Sequence, residues 1–447
     1  MSSEWSDARL EELITVKHGF AFKGEYFTDQ STAHHLVTPG NFAIGGGFQL
    51  GKPKFYSGPV PPDYILNRGD VVVTMTDLSR GGDTLGFAGV VPETPGTVWL
   101  HNQRIGLVQV KPDAPVRAGY LHYMMRSAEY RHWVVSTATG STVKHTSPGR
   151  ICSYGFKLPP AAEQIGIEAI LTALDDRIAL LRETNATLEA IAQALFKSWF
   201  VDFDPVRAKQ QGLAPAGMDE ATSALFPDAF DASVLGVVPR GWTKTPIRDV
   251  VEGVYDGPHA TPSEADEGPV FLGIKNLTGT ALDLADIRHI AEADWKQWTR
   301  RVQPQACDIV FSYEATLGFF ALIPPGLRCC LGRRLALIRP RLVDGAACFW
   351  FHQFTAAPFQ ELLAKHTIHG ATVNRIALKE FPSYQVLNPP LLLQRAFDDI
   401  ASALWRRIHA NQAQAQSLTA LRDSLLPRLI SGQLRLPEAE ALADEAA

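Results

Sequence analysis

Read for chemistry, the sequence holds one catalytic candidate and a set of recognition donors. Asn388-Pro389-Pro390-Leu391 has the first three residues of the clamp with which DNA amino-methyltransferases hold a target amine. The clamp continues with an aromatic residue that stacks on a flipped base, and Leu391 has no ring. Two hundred and thirty residues earlier, Leu158-Pro159-Pro160-Ala161 lacks the Asn as well, so Pro-Pro reads as the entry to a following element. No GxxxxGK[ST] phosphate loop, GxGxxG, HExxH or GxSxG occurs. The five cysteines include no CxxC pair and no His at zinc spacing, which fits reduced thiols. Cys329-Cys330 lacks a nearby His or Asn constellation and reads as strand packing. The expectation is a chain with no catalytic residue, no metal and no bound cofactor.

What remains is donors on turn-rich loops. Ser79 and Arg80 adjoin Gly81-Gly82, and Lys144 and His145 follow Gly140-Ser141-Thr142. Farther on, Asp256, His259 and Thr261 sit around Gly257-Pro258, and Thr372, Asn374 and Arg375 follow Gly370-Ala371. Lys17 and Lys275 complete the set. Arg and Lys read guanine, Asn reads adenine, and hydroxyls reach base edges or phosphates. Arg104 and Arg334 lie in apolar, strand-like contexts and read as repeated structural or interdomain arginines, not base readers.

The elements that must position these donors are written twice. Arg104, His122, Gly140, Thr142, Val143, Pro159, Pro160 and Gln164 recur 230 residues later as Arg334, His352, Gly370, Thr372, Val373, Pro389, Pro390 and Gln394. Earlier in each copy the offset drifts to 238, as from Asp70-Val71-Val72 to Asp308-Ile309-Val310. The drift places insertions in loops on a repeated scaffold, which suits two different recognition surfaces. Each globular part reads as short strands broken by Gly and Asn/Asp turns.

After each Pro-Pro the period changes. Ile167, Leu171, Leu174, Ile178, Leu181, Asn185, Leu188, Ala192, Leu195 and Trp199 alternate in steps of four and three, a coiled-coil seam. Phe397, Ala401, Leu404, Ile408, Asn411, Ala415, Leu418, Arg422, Leu425 and Leu429 repeat it. The first helix would be roughly 57 Å long at about 1.5 Å per residue. Antiparallel pairing of residue i with residue 596−i sets Asn185 against Asn411 and Trp199 against Phe397, with Phe200 alongside. A paired buried Asn fixes register, and Leu174 opposite Arg422 is the weak layer. The expected fold is α+β: two α/β domains joined by two long antiparallel coiled-coil helices, with pseudo-two-fold symmetry. The boundaries read 1–159 (first domain), 160–203 (helix), 204–239 (surface linker), 240–389 (second domain), 390–436 (helix) and 437–447 (acidic tail).

The net charge of −5 argues against a simple nucleic-acid binder. Yet residues 1–160 carry +2 and 235–390 carry +1, while 161–234 carry −7 and the last eleven residues −4. Near-neutral domains should hold DNA only moderately, because phosphate contacts dominate affinity, so a partner has to supply part of the grip. No stretch approaches a membrane span and the start is no signal peptide, which makes the cytoplasm the default.

The longer motifs are specific. Gly140 to Arg150, Leu158-Pro159-Pro160 with Glu163-Gln164, and Leu195 to Val206 (Leu-Phe-Lys-Ser-Trp-Phe-Val-Asp-Phe-Asp-Pro-Val) resemble type I restriction-modification specificity subunits. So do Asp256 to Pro262 and the ending Leu425 to Gly432. The resemblance spans nearly the whole chain and thins in the loops of each globular part. It implies that the two domains are target recognition domains reading the halves of an interrupted double-stranded DNA site. The helices then act as ruler and docking surface for two modification subunits, with half-sites about one DNA turn, roughly 34 Å, apart. Those partners would carry S-adenosylmethionine and methylate adenine; restriction (motor-nuclease) subunits would bring ATP and Mg. A self-sufficient methyltransferase or nuclease is disfavoured by the missing motifs. A tandem-domain scaffold without sequence-specific DNA binding, or a subunit of a methylation-only system, are the alternatives.

Overall fold

In the computed structural model, residues 5–446 are described except 78, 80, 142, 234, 235, 259 and 371. The chain divides into two compact units, Met1–Ala179 with Ser417–Ala447, and Leu180–Gln416. The α+β class stands, with two 40-residue helices, Ala161–Phe200 and Leu391–Ile430.

In the first unit an antiparallel sheet runs in the order Ile14–His18, Ile105–Val110, Val71–Thr74, Ala88–Val90. Val71, Val72 and Val73 are all buried, so the strand is an unbroken apolar run and not an alternating one. The preceding turn is closed by Asp70, whose carboxylate accepts from the Asn67 amide at 2.8 Å. A second sheet pairs Phe27–Thr28, Phe55–Tyr56, His34–Leu36 and Val98–Leu100. Strand Ser6–Arg9 pairs with Gly155–Leu158, the last strand before the long helix.

The second unit repeats this order as Val251–Asp256, Leu335–Pro340, Ile309–Ser312, Phe320–Leu322. The register repeats too: Ile105 faces Thr74 in one sheet, and Leu335 faces Ser312 in the other. Strand Thr243–Pro246 pairs with Gln385–Asn388, again just before a long helix. Cys329 and Cys330 lie buried in strand Cys329–Leu331, and burial pushes both thiols up to about 12, so they pack as neutral groups.

Each Pro-Pro starts a helix with the same device. Gln164 Nε2 donates to the Pro159 carbonyl at 2.8 Å, and Gln394 Nε2 to the Pro389 carbonyl at 2.7 Å. Proline suits a helix start because its missing N–H would have had no partner there. Asn388 has both ends of its amide engaged: Oδ1 accepts from Gln394 at 2.9 Å and Nδ2 donates to Thr245 at 3.3 Å.

The helix register follows the seam. In the second unit Asn411 Nδ2 donates to Asn185 Oδ1 at 2.8 Å, and Asn185 Nδ2 donates to the Ile408 carbonyl at 3.2 Å. Phe397 meets Trp199 and Phe200, ring centroids at 6.1 and 5.5 Å. Two details differ from the heptad reading. Trp405 takes the buried place beside Leu404, because it packs on Phe351 and donates through Nε1 to His352 Nε2 at 3.0 Å. In the first unit, Arg422 is no weak layer: Asp175, one residue beyond Leu174, accepts from it at 2.7 Å and from the buried Arg126 at 2.8 Å. Burial alone would raise the Asp175 carboxyl, but the two guanidinium groups outweigh it and hold it low.

Two further stretches depart from expectation. Residues 204–239 are not a surface linker: helices Asp204–Gln210 and Glu220–Ala224 and the antiparallel strands Phe230–Ser233 and Gly236–Pro239 bring Val206, Phe226 and Val238 into the core of the second unit. Apolar residues spaced among Gly and Pro become core once a neighbouring aromatic cluster gives them a surface to cover. The acidic end is helical over Leu436–Ala446 with Ala439 buried.

Candidate nucleic-acid interface

The donors of the first unit meet where strand Val71–Thr74 breaks at Met75 and resumes as Thr76–Asp77. There Lys144–His145 pairs antiparallel, Lys144 opposite Asp77 and His145 opposite Thr76. Thr76 Oγ1 lies 3.1 Å from His145 Nδ1. Behind His145, a turn closes with Thr139 N and O both bonded to the His145 backbone, at 2.9 and 2.8 Å. Gly140 in this turn has φ +96 and would put a Cβ 2.0 Å from the Val143 carbonyl oxygen, so only glycine fits.

The loop from Asp77 to Thr84 is held from inside. Asp77, 4% exposed, accepts from the Ser79 amide at 2.6 Å and from Thr84 Oγ1 at 2.7 Å, and also takes the Thr84 amide. Burial would raise its carboxyl, yet these hydrogen bonds outweigh that and hold it below the usual carboxylate range. Ser79 Oγ in turn accepts from the Asp83 amide at 2.7 Å. Arg131 donates to the Gly82 and Leu85 carbonyls and lies over the Phe87 ring. Ser79, Lys144 and His145 are thus brought together. Arg80 lies outside the described residues. Lys17 stands two strands away, its Nζ on the Asp63 carbonyl at 2.7 Å and over the Tyr64 ring at 4.5 Å.

The second unit builds the same edge from other residues. Glu314 bridges Arg375 as Thr76 bridges His145, and Gly370 would meet the Val373 carbonyl oxygen at 2.5 Å as Gly140 meets that of Val143. Thr372, Asn374 and Arg375 are exposed along it, and the Asn374 carbonyl accepts the Ala315 amide at 3.0 Å. Between Thr76 and Thr84 the first copy has six residues that the second lacks between Glu314 and Thr316. Asp256 sits at the same end of the sheet, ion-paired with Arg301. Lys275 is taken up by Asp286 on the turn Ile274–Asn276, and among the described residues no hydrogen bond or ion pair ties it to the edge. Thr261 is exposed, and His259 lies outside the described residues.

Sequence reasoning missed Asp77, Thr76 and Arg131, which make the edge without being donors on it. The change in repeat offset between Thr76 and Thr84 was the signal that could have located them. Arg104 and Arg334 stand at the two edges. Each lies in the turn just before a strand: Arg104 is exposed, and the backbone carbonyl of each closes the edge, accepting from Met75 N at 2.9 Å and from Tyr313 N at 3.1 Å. Trp199 and Phe200 are 5% and 3% exposed, packed on Phe226, Trp242 and Phe349, so neither ring is available to a partner. The large apolar side chains that the long helices do leave exposed are Ile165, Leu180, Ile191, Leu391, Leu392 and Ile400.

Among the described residues no cluster of His, Cys, Asp or Glu could hold a metal ion, and no helix is long and apolar enough to cross a membrane. The family model for the type I restriction modification DNA specificity domain matches residues 2–190. The type I restriction enzyme HindI specificity subunit of Haemophilus influenzae is 25% identical over 353 residues, covering 69% of this chain and 75% of that protein. The MjaIX specificity subunit of Methanocaldococcus jannaschii is 23% identical over 340 residues, covering 74% and 73%. The crystal structure of a type I restriction-modification S subunit from M. genitalium covers 96% of each chain with a TM-score of 0.56 at 14% identity, a likeness of fold. With two repeated units and two long helices carrying the motifs, the chain is similar in sequence to type I restriction-modification specificity subunits over most of its length and shares the fold of one solved S subunit.

Proposed function

We propose that this chain is the DNA sequence-specificity subunit of a type I restriction-modification complex, and that each unit reads one half of a bipartite site. The observation that carries this is the edge built twice on one scaffold with different side chains. Ser79, Lys144 and His145 stand on one edge; Thr372, Asn374 and Arg375 stand on the other. A scaffold kept twice while its exposed polar residues change is what two independent base readers require.

The rest of the assignment follows from chemistry the chain does not offer. Asn388 is occupied in capping, and Cys329 and Cys330 stay protonated, so we assign no catalytic residue here. Methyl transfer, S-adenosylmethionine, ATP and Mg fall to partner subunits. The exposed apolar side chains of the two long helices, Leu180 and Ile191 among them, are the surface we assign to two modification subunits.

The test is methylation-sensitive sequencing of DNA exposed to the assembled complex. N6-methyladenine at a single interrupted motif is expected, with no transfer when this chain alone is given S-adenosylmethionine. Methylation scattered without a motif would sink the reading.

A further inference from the structure

Arg104 and Arg334 occupy the same repeat position, each one hydrogen bond from the edge of its own unit. Their carbonyls take Met75 N and Tyr313 N, the residues just before Thr76 and Glu314. That backbone bond needs no particular side chain. Around it the edge diverges: His145 corresponds to Arg375, Thr76 to Glu314, and six residues are present in one copy only. The guanidinium is retained.

Packing does not explain the retention. Arg104 is exposed, and among the described residues it makes no side-chain hydrogen bond or ion pair. Arg334 is 30% exposed and only loosely paired, its Nε 3.8 Å from Glu314. Local backbone preference opposes it: Arg334 has φ +76, where any residue with a Cβ is disfavoured and glycine is the natural choice. A strained residue at a functional edge points to a role for its side chain.

Two readers of different sequences share one ligand feature, the phosphate backbone. We propose that Arg104 and Arg334 are matched phosphate clamps that set each unit's register on DNA without reading bases. The proposal rests on the specificity-subunit reading above. Arg104 faces no acidic neighbour corresponding to Glu314, so it is the stronger clamp.

The test uses the chain assembled with its modification subunits, titrated onto a duplex carrying its methylated motif and onto a scrambled duplex over a range of salt. Arg104→Ala and Arg334→Ala are expected to weaken both duplexes by the same factor and leave the methylated motif unchanged. Each should flatten the salt dependence by one contact, so that between about 50 and 200 mM salt the variant loses about 3.5-fold less affinity than wild type. Arg104→Lys should restore the wild-type slope, and Arg104→Gln should not, which covers the case in which Arg104→Ala fails to assemble. Wild-type slopes in the Ala and Gln variants, a Lys variant behaving as Gln, or a changed motif would each overturn the clamp. Equal affinity of the wild-type complex for both duplexes would instead overturn the specificity reading itself.

Discussion

At the edge of the first unit, placement is decided by residues that carry no recognition chemistry. Lys144 and His145 are where they are because Gly140 lets the chain turn and because Asp77 and Thr76 receive the returning strand. Replacing Gly140 by Ala puts a methyl group 2.0 Å from the Val143 carbonyl oxygen at a φ of +96. Relieving that clash moves the turn, at a local cost on the order of 1–3 kcal/mol. In the assembled complex, Gly140→Ala should slow methylation of the target roughly tenfold and relax sequence preference in one half of the motif only. Gly370→Ala should do the same to the other half, its Cβ at 2.5 Å. An unaltered rate and motif would separate this turn from recognition. The donors themselves were legible in sequence as polar residues beside Gly-rich turns. Which of them share an edge was not: Lys275 looks the same as Lys144 on paper, yet Asp286 engages it.

At the scale of the element, the long helices were the most legible part, because a seam of period 3.5 can be read from one strand of text. The Asn185–Asn411 pair follows from that seam once the helices are set antiparallel: Asn411 Nδ2 donates to Asn185 Oδ1, and Asn185 Nδ2 donates to the Ile408 carbonyl. Replacing one by Leu strands the other, at roughly 1–3 kcal/mol. Asn185→Leu and Asn411→Leu should therefore each lower stability in denaturant melts by about that amount, and the double variant should recover most of it. Additive losses would mean that the two amides do not depend on each other. The Asp175 layer was illegible because its partners are scattered: Arg126 comes from 49 residues away and Arg422 from 247. Periodicity reports faces and not partners across the fold. The burial of Val206, Phe226 and Val238 was hidden for the same reason, since the aromatic surface they cover is assembled from Trp199, Phe200 and Trp242.

At the scale of the whole molecule the repeat preserves position more faithfully than chemistry. His122 and His352 recur, both buried, one against Arg126 at 3.2 Å and the other accepting from Trp405 at 3.0 Å. Burial drives each imidazole down to about 3, with the Arg126 charge adding to the effect at His122. The folded chain therefore binds fewer protons than the unfolded chain between about pH 6.5 and 3, and acid draws it toward unfolding across that window. Asp398 opposes this. Burial raises its carboxyl to about 6 although it accepts from the Phe349 amide at 3.0 Å, so it contributes stability below its unfolded value that is lost as pH rises through 6. On acidification from pH 7 to about 4.5 the two histidines together lose on the order of 5 kcal/mol while Asp398 returns about 2. The two imidazoles win. Denaturant melts should show stability falling by about 3 kcal/mol over that range from these groups. Each imidazole supplies about half of the gross loss, and Asp398 returns nearly as much as one of them removes, so His122→Phe or His352→Phe alone should remove most of the net decline. A flat profile down to pH 4.5 in the wild-type chain would mean that neither imidazole is held neutral by the fold.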